Sequence, residues 1–254
     1  MSENEPADDG NVALLFYRQI IALNSAYHRG LKIGTPPNQS FAATTNSVPL
    51  AGVEFGEAVK EYPVVFSSDG AGNFSAVAVL GLQNAENLFL DAEAKWQAHY
   101  VPAFVRRYPF ILGANHENPG QPLVCVDEAC PWLGRDVGEP LFAGNQVSPF
   151  LSQIVAFLND YNLQSERTAE FGRKLADWGL LSESQAQATT TDGQVHTLTG
   201  IWIVDEAALA NLEADKVQAL FKTGELGWIF FHLISLSNFR LLGERKSARA
   251  AALA

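Results

Sequence analysis

Two adjacent arginines, Arg106 and Arg107, stand in an aromatic stretch, Tyr100-Val-Pro-Ala-Phe-Val-Arg-Arg-Tyr-Pro-Phe110. A guanidinium beside aromatic rings suits two tasks, recognition of a carboxylate or other anion and a semi-buried ion pair. On a helix the two side chains point about 100° apart. At most one of them then shares the buried face of Val101, Phe104 and Val105. One reading is an anion or carboxylate site walled by Tyr100, Tyr108 and Phe110. The other is a salt bridge to Asp91, Asp127 or Glu128 that ties the element to a sheet.

A second polar set lies in the apolar run from Leu226 to about Leu242. Glu225, His232, Ser235 and Asn238 are interspersed among Trp228, Phe230, Phe231, Leu233, Ile234 and Phe239. His232, Ser235 and Phe239 follow each other at spacings of three and four, so they share a helix face. A helix apolar almost all round is buried almost all round, and its polar groups need partners. They either line a pocket, with His232 as acid or base, or bond within the core.

Other chemistries find less support. The histidines are His28, His99, His116, His196 and His232, and the cysteines are Cys125 and Cys130. No H-x-H, H-E-x-x-H or C-x-x-C spacing joins them, so no metal site is expected. Two reduced cysteines are the plainer reading of the pair. There is no G-x-S-x-G elbow and no phosphate loop. Gly70-Ala-Gly72 lacks the third glycine of a dinucleotide fingerprint and reads as a turn. No cofactor is implied. Near the carboxyl end, Arg240, Arg245, Lys246 and Arg249 face only Glu244. These bases suit either the helix dipole or an acidic partner.

Composition bounds the answer. A chain of 254 residues with 47% hydrophobic and 18% charged residues has material for a substantial core. The net charge of -11 repels phosphate backbones, so nucleic acid is not an expected partner. No window reaches the roughly 18 uncharged apolar residues of a bilayer span. Residues 1–10 carry four acids and no base, unlike an export signal. The expectation is a cytoplasmic protein with an acidic, disordered tail over residues 1–11.

The elements that must position these residues fall into two textures. The first half reads as short strands: Val12 to Ile21, Leu31 to Ile33, Val48 to Phe55, Val64 to Ser67, Ser75 to Leu82, Asn87 to Leu90, Tyr108 to Leu112 and Leu123 to Val126. Asp69 to Asn73 supplies a hairpin turn. Gly56 to Tyr62 reads as a short helix, and Ala92 to Arg107 as a helix broken near Pro102. After Ser148-Pro149, a capping serine with proline at the first helical position, the apolar spacing becomes helical. Helices are expected over Ser148 to Tyr161, Ser165 to Trp178, Glu206 to Leu212, Ala214 to Thr223 and Leu226 to Leu242. A hairpin around Asp192-Gly193, with Val195 to Val204 as one arm, interrupts them. The class is α+β, a strand-rich half with antiparallel hairpins followed by a helix-rich half. One domain is expected over 12–246, with a tail over 247–254.

Several segments together resemble the SapC family of bacterial proteins. They are Leu23-Asn-Ser-Ala-Tyr-His-Arg-Gly-Leu-Lys-Ile33, Glu61-Tyr-Pro-Val-Val-Phe66, Asn87-Leu-Phe-Leu90, Trp96, and the Tyr100 to Phe110 element. Val124-Cys-Val-Asp-Glu128, Gly138-Glu-Pro-Leu-Phe142, Thr199-Gly-Ile-Trp202, Leu236-Ser-Asn-Phe-Arg240 and Glu244-Arg-Lys246 follow in order. The resemblance implies a link to a bacterial surface layer and brings no set of catalytic residues. The combined expectation is a non-enzymatic accessory protein, in which a protein partner or small molecule is bound. Tyr100, Arg106, Arg107, Tyr108, Phe110, His232 and Asn238 are the candidate contacts, and an oligomer is compatible. The alternative is an enzyme of unrecognised type whose pocket is lined by His232 and Arg106/Arg107.

Overall fold

A computed structural model describes residues 14–115, 118 and 120–253. The expected tail over 1–11 and His116 lie outside these residues. Backbone contacts divide the chain into two units, Met1–Thr35 with Tyr108–Val155, and Pro36–Arg107 with Ala156–Ala254.

The first unit is built from short antiparallel strands. Leu123–Asp127 is central, flanked by Ile20–Ala22 and Phe110–Gly113, in registers that set Ile21 opposite Val126 and Ile111 opposite Cys125. A smaller sheet places Lys32–Ile33 between Leu133–Gly134 and Glu139–Pro140. Asp127 is fully buried and is held by the backbone N–H groups of Arg18 and Gln19 and by the Tyr108 hydroxyl. Cys125 and Cys130 are buried free thiols, and burial pushes Cys130 up to about 11. Helix Pro149–Asp177 starts here, with the Ser148 hydroxyl accepting from Leu151 N at 3.0 Å.

The second unit holds a five-stranded antiparallel sheet. Its order is Leu181–Thr189, Val195–Val204, Val64–Ser68, Phe74–Val79, Ser47–Pro49. The central hairpin sets Val64 opposite Ala78 and Phe66 opposite Ala76. Its turn is closed by Asp69, whose carboxylate accepts from Ala71 N and Asn73 N, while Gly70 and Gly72 adopt φ of 76° and 93°. Left-handed φ values come at little cost only to glycine. The long helix lies against this hairpin. A Cβ at Gly172 would stand 2.2 Å from Phe74 O, so glycine permits the approach. Phe55, Phe66, Phe171 and Trp228 form an aromatic core, with Phe171 and Trp228 centroids 5.3 Å apart. Burying each such ring stabilises the fold by ~1.5–3 kcal/mol.

The α+β class and the strand-rich and helix-rich halves stand as the sequence indicated. Several element readings need correction. The two helices expected after Ser148 are one, Pro149–Asp177, because no glycine or proline interrupts Asn162 to Gln164 and the apolar spacing continues. Asn87 to Leu90 is not a strand; only Leu90 makes a bridge, to Trp96. The helix expected from Ala92 shrinks to Ala103–Arg106. Asp91 accepts from Glu93 N and Lys95 N, and this side-chain bonding competes with a helical path. Of the described part of Val12 to Ile21, only Ile20 and Ile21 enter a strand, and Val48 to Phe55 leaves the sheet after Pro49.

The final apolar segment runs as Glu225–Ser235, a tight turn at Leu236–Asn238, and Phe239–Leu253, so helix continues through the segment read as a tail. Glu225–Ala252 is long and apolar enough to cross a membrane by length and composition, with mean hydropathy 1.2 and 44% of its apolar window buried in the fold. The uncharged run within it, Leu226 to Phe239, stays shorter than the roughly 18 residues of an uncharged bilayer span. The basic end is occupied within its own unit. Arg240 pairs with Glu244, Lys246 with Glu86, Arg245 Nη2 donates to Gln97 O, and Arg249 Nη1 donates to Asn87 O. Three of these four bases hold the irregular loop from Glu86 to Gln97, a use the charge count did not suggest.

Candidate site beside Arg106

Glu54 organises the surroundings of Arg106. It is 6% exposed and ends the short turn Gly52–Glu54. Its carboxylate accepts three hydrogen bonds: from Ala51 N at 2.9 Å, from Ala103 N at 2.7 Å and from the Tyr100 hydroxyl at 2.6 Å. The Ala103 bond satisfies the first free amide of the turn Ala103–Arg106. Tyr100 in turn is placed by Glu61, which accepts from its backbone N–H at 3.1 Å. Burial, then the adjacent Glu54 carboxylate, push the Tyr100 phenol far above its usual range. Tyr100 therefore stays a neutral donor to Glu54.

Arg106 is exposed and aimed by this chain. Its Nε donates to Val101 O at 2.9 Å and Nη2 to the Tyr100 oxygen at 3.4 Å. Its guanidinium lies 5.3 Å from the Phe157 ring centroid and 5.7 Å from that of Tyr100. Among the described residues it makes no ion pair with a carboxylate. A cleft of about 170 Å³ opens beside it, walled by Glu54, Tyr100, Arg106, Phe157, Asp160 and Gln164 among others. All of these residues belong to the second unit.

Arg107 takes a different course. It is buried, with its guanidinium 4.1 Å from the Phe104 centroid and 5.1 Å from that of Tyr161. Within the first unit, Asp127 accepts from Arg18 N, Gln19 N and the Tyr108 hydroxyl, and Glu128 accepts from the Gln19 side chain. Asp91 accepts from its own loop. Tyr108 and Phe110 belong to the first unit and line no part of the Arg106 cleft. Of the three expected aromatic walls, Tyr100 lines the cleft, and a second ring there is Phe157. Tyr108 instead packs on Tyr17 and Trp132, and burial with the Asp127 contact raises its phenol.

His232 has another role. The pair Trp202↔Phe66 puts Val204 opposite Val64 in the same antiparallel register. The imidazole stands between those two backbones. Nε2 accepts from Val204 N at 3.1 Å, so Nδ1 carries the proton and donates to Val64 O at 2.7 Å. The ring replaces the direct link that the sheet would otherwise make. Burial lowers its pKa from 6.5 to about 4, which keeps it neutral. Ser235 Oγ accepts from Val64 N at 2.9 Å and donates to His232 O at 2.5 Å. Asn238 Nδ2 donates to Val59 O and Tyr62 O, closing the end of the Phe55–Ala58 turn. Glu225 pairs with Lys174.

The seven candidate residues therefore part company. Tyr100 and Arg106 share the cleft; Arg107, Tyr108 and Phe110 do not line it, nor do His232 and Asn238. His232 and Arg107, both buried, do not join Arg106 in the lining of this cleft. Glu54, Phe157, Asp160 and Gln164 were missed. The last three follow at spacings of three and four, a polar–aromatic face legible in the sequence. Glu54, inside an apolar run, gave no such signal. Among the described residues no three of His, Cys, Asp and Glu are grouped to hold a metal ion.

A model of the SapC family matches residues 23–242. No curated protein and no solved structure matches the chain. The match takes in both the hairpin scaffold and the Glu54–Tyr100–Arg106 chain, so the chain belongs to the SapC family.

Proposed function

We propose that this SapC family member is a non-enzymatic binding protein, and that the cleft beside Arg106 receives a group of a small molecule or of a protein partner. The observation that carries this reading is the exposed guanidinium held in place by Glu54, Tyr100 and Phe157 at the mouth of a concave site. Arginine and aromatic side chains set rigidly around a cavity are a composition favoured at binding hot spots. His232, the strongest acid–base candidate, has both ring nitrogens bonded to backbone, which favours binding over catalysis.

A ligand-detected NMR survey of small polar fragments tests the proposal. Fragments that bind the native chain should lose affinity at least about tenfold with Arg106→Ala, the weight of one charge-assisted hydrogen bond. The melting temperature should move by less than about 2 °C, because the side chain is exposed. Undiminished binding, or a collapse in stability, would overturn the reading.

A further inference from the structure

Helix Glu225–Ser235 turns an apolar stripe to solvent. Phe230 is 51% exposed and Ile234 61%. Gly227 and Ser237 are exposed on the same line, and Leu241 is half-buried. These five positions follow at spacings of three and four, so they form one seam along the helical path. Leu226 and Leu233 flank it on one side, both half-buried. Phe231, set against Gly56 and 38% exposed, flanks it on the other. Between Glu225 and Arg240 the sequence carries no Asp, Glu, Lys or Arg. His232 and Ser235 anchor the opposite face to Val64, so the stripe cannot turn inward. Single apolar residues are ordinary at a surface, whereas a contiguous stripe marks an interaction face.

We propose that this stripe packs on the same stripe of a second copy, antiparallel about a two-fold axis at Ile234. A two-fold brings identical patches together, so the patch must complement itself. The order of sizes along the seam does so. Reversed about Ile234, it sets Phe230 against Ser237 of the second copy and Gly227 against Leu241 of the second copy. Large against small at facing positions is how helix faces interdigitate. A parallel pair would set Phe230 on Phe230 and leave a gap at Gly227. A Cβ at Gly227 would meet no atom within 4 Å among the described residues, so a side chain from outside has room there. Ser237 Oγ already donates to Ile234 O at 2.9 Å, so the seam buries no unsatisfied hydroxyl. At roughly 200 Å² for a large side chain, the open parts of the seam and its flanks come to roughly 500 Å² per copy. A pair buries roughly 1,000 Å², the lower limit for a specific interface, so the dimer is weak and reversible. A lipid surface would require no such order of sizes, and a net charge of -11 opposes anionic membranes.

Sedimentation velocity of the full chain from roughly 1 to 300 µM should show a monomer–dimer equilibrium. Ile234→Glu sets two like charges at the axis and should raise the dissociation constant at least about tenfold. The melting temperature of the dilute monomer should move by less than about 2 °C, because the residue is exposed. Under mild oxidation Ile234→Cys should form a covalent dimer. Val195→Cys, 57% exposed on a strand, should not. A chain that stays monomeric throughout overturns the inference. A dimer indifferent to Ile234→Glu, or cross-linked as readily through position 195, overturns it too, since the contact then lies elsewhere. Phosphatidylcholine vesicles probe the other occupant. A native chain that is monomeric in solution, sediments with them and is released by Ile234→Glu assigns the stripe to lipid and overturns the dimer.

Discussion

The polar groups of the final helix and those beside Arg106 look alike in sequence, yet they end in opposite states. His232, Ser235 and Asn238 are buried, and each bonds to backbone of a distant segment. Arg106 and Asp160 stay exposed around a cleft. The contrast teaches that a polar residue in an apolar run serves the fold when it meets unpaired backbone. It is available for binding when the backbone around it is already satisfied. Glu54 illustrates the second condition, since it supplies the Ala51 and Ala103 amides and so frees neighbouring side chains.

Breaking the closed set should have the largest effect. His232→Ala removes the link between Val64 O and Val204 N, orphans both groups and leaves a cavity. A loss of ~3–5 kcal/mol is expected from urea unfolding. An effect below ~1 kcal/mol would mean that the two strands close up directly.

The same histidine sets a pH dependence. Its pKa is about 4 folded against 6.5 as the ordinary value. Between these values the unfolded chain binds the proton and the folded chain does not, so stability falls as pH drops from 6.5 towards 4. A depression of that size corresponds to ~3 kcal/mol, fully felt only below pH 4. Unfolding free energies measured across this window should show the slope in the native chain. A folded His232→Asn variant that kept the full slope would place its origin elsewhere.

Glu54→Gln sharpens the comparison from the open side, with the smallest expected effect. An amide cannot accept at both ends, so one donor among Ala51 N, Ala103 N and the Tyr100 hydroxyl loses its partner. The cost should be ~1–3 kcal/mol in chemical unfolding. The Arg106 guanidinium should lose its fixed position, visible as broadened side-chain resonances. An unchanged Arg106 signal would show that Phe157 alone holds it.

Much of the scaffold could be read from short windows. The Val64–Val79 hairpin, the Ser148-Pro149 helix start, the Asp192-Gly193 turn and the helical spacing from Phe150 onward each depend on neighbours a few residues away. The irregular run from Asn87 to Pro102 escaped because Asn87 and Asp91 direct the backbone through side-chain bonds that periodicity does not register. Of the candidate site, Tyr100 and Arg106 were legible as an aromatic–arginine element. Glu54, which places both, was not, since nothing local distinguishes it from an isolated acid.

What the sequence determined by itself was the α+β class, the family and the inventory of polar groups that would need partners. Local sterics, caps and periodicity decide such things, and they are written in adjacent residues. The assignment of partners was left to the tertiary structure. His232 and Val64 lie 168 positions apart, Glu54 and Ala103 49. A hydrogen bond acts over about 3 Å, so only the folded chain decides which polar groups are closed into the core and which remain open to a ligand.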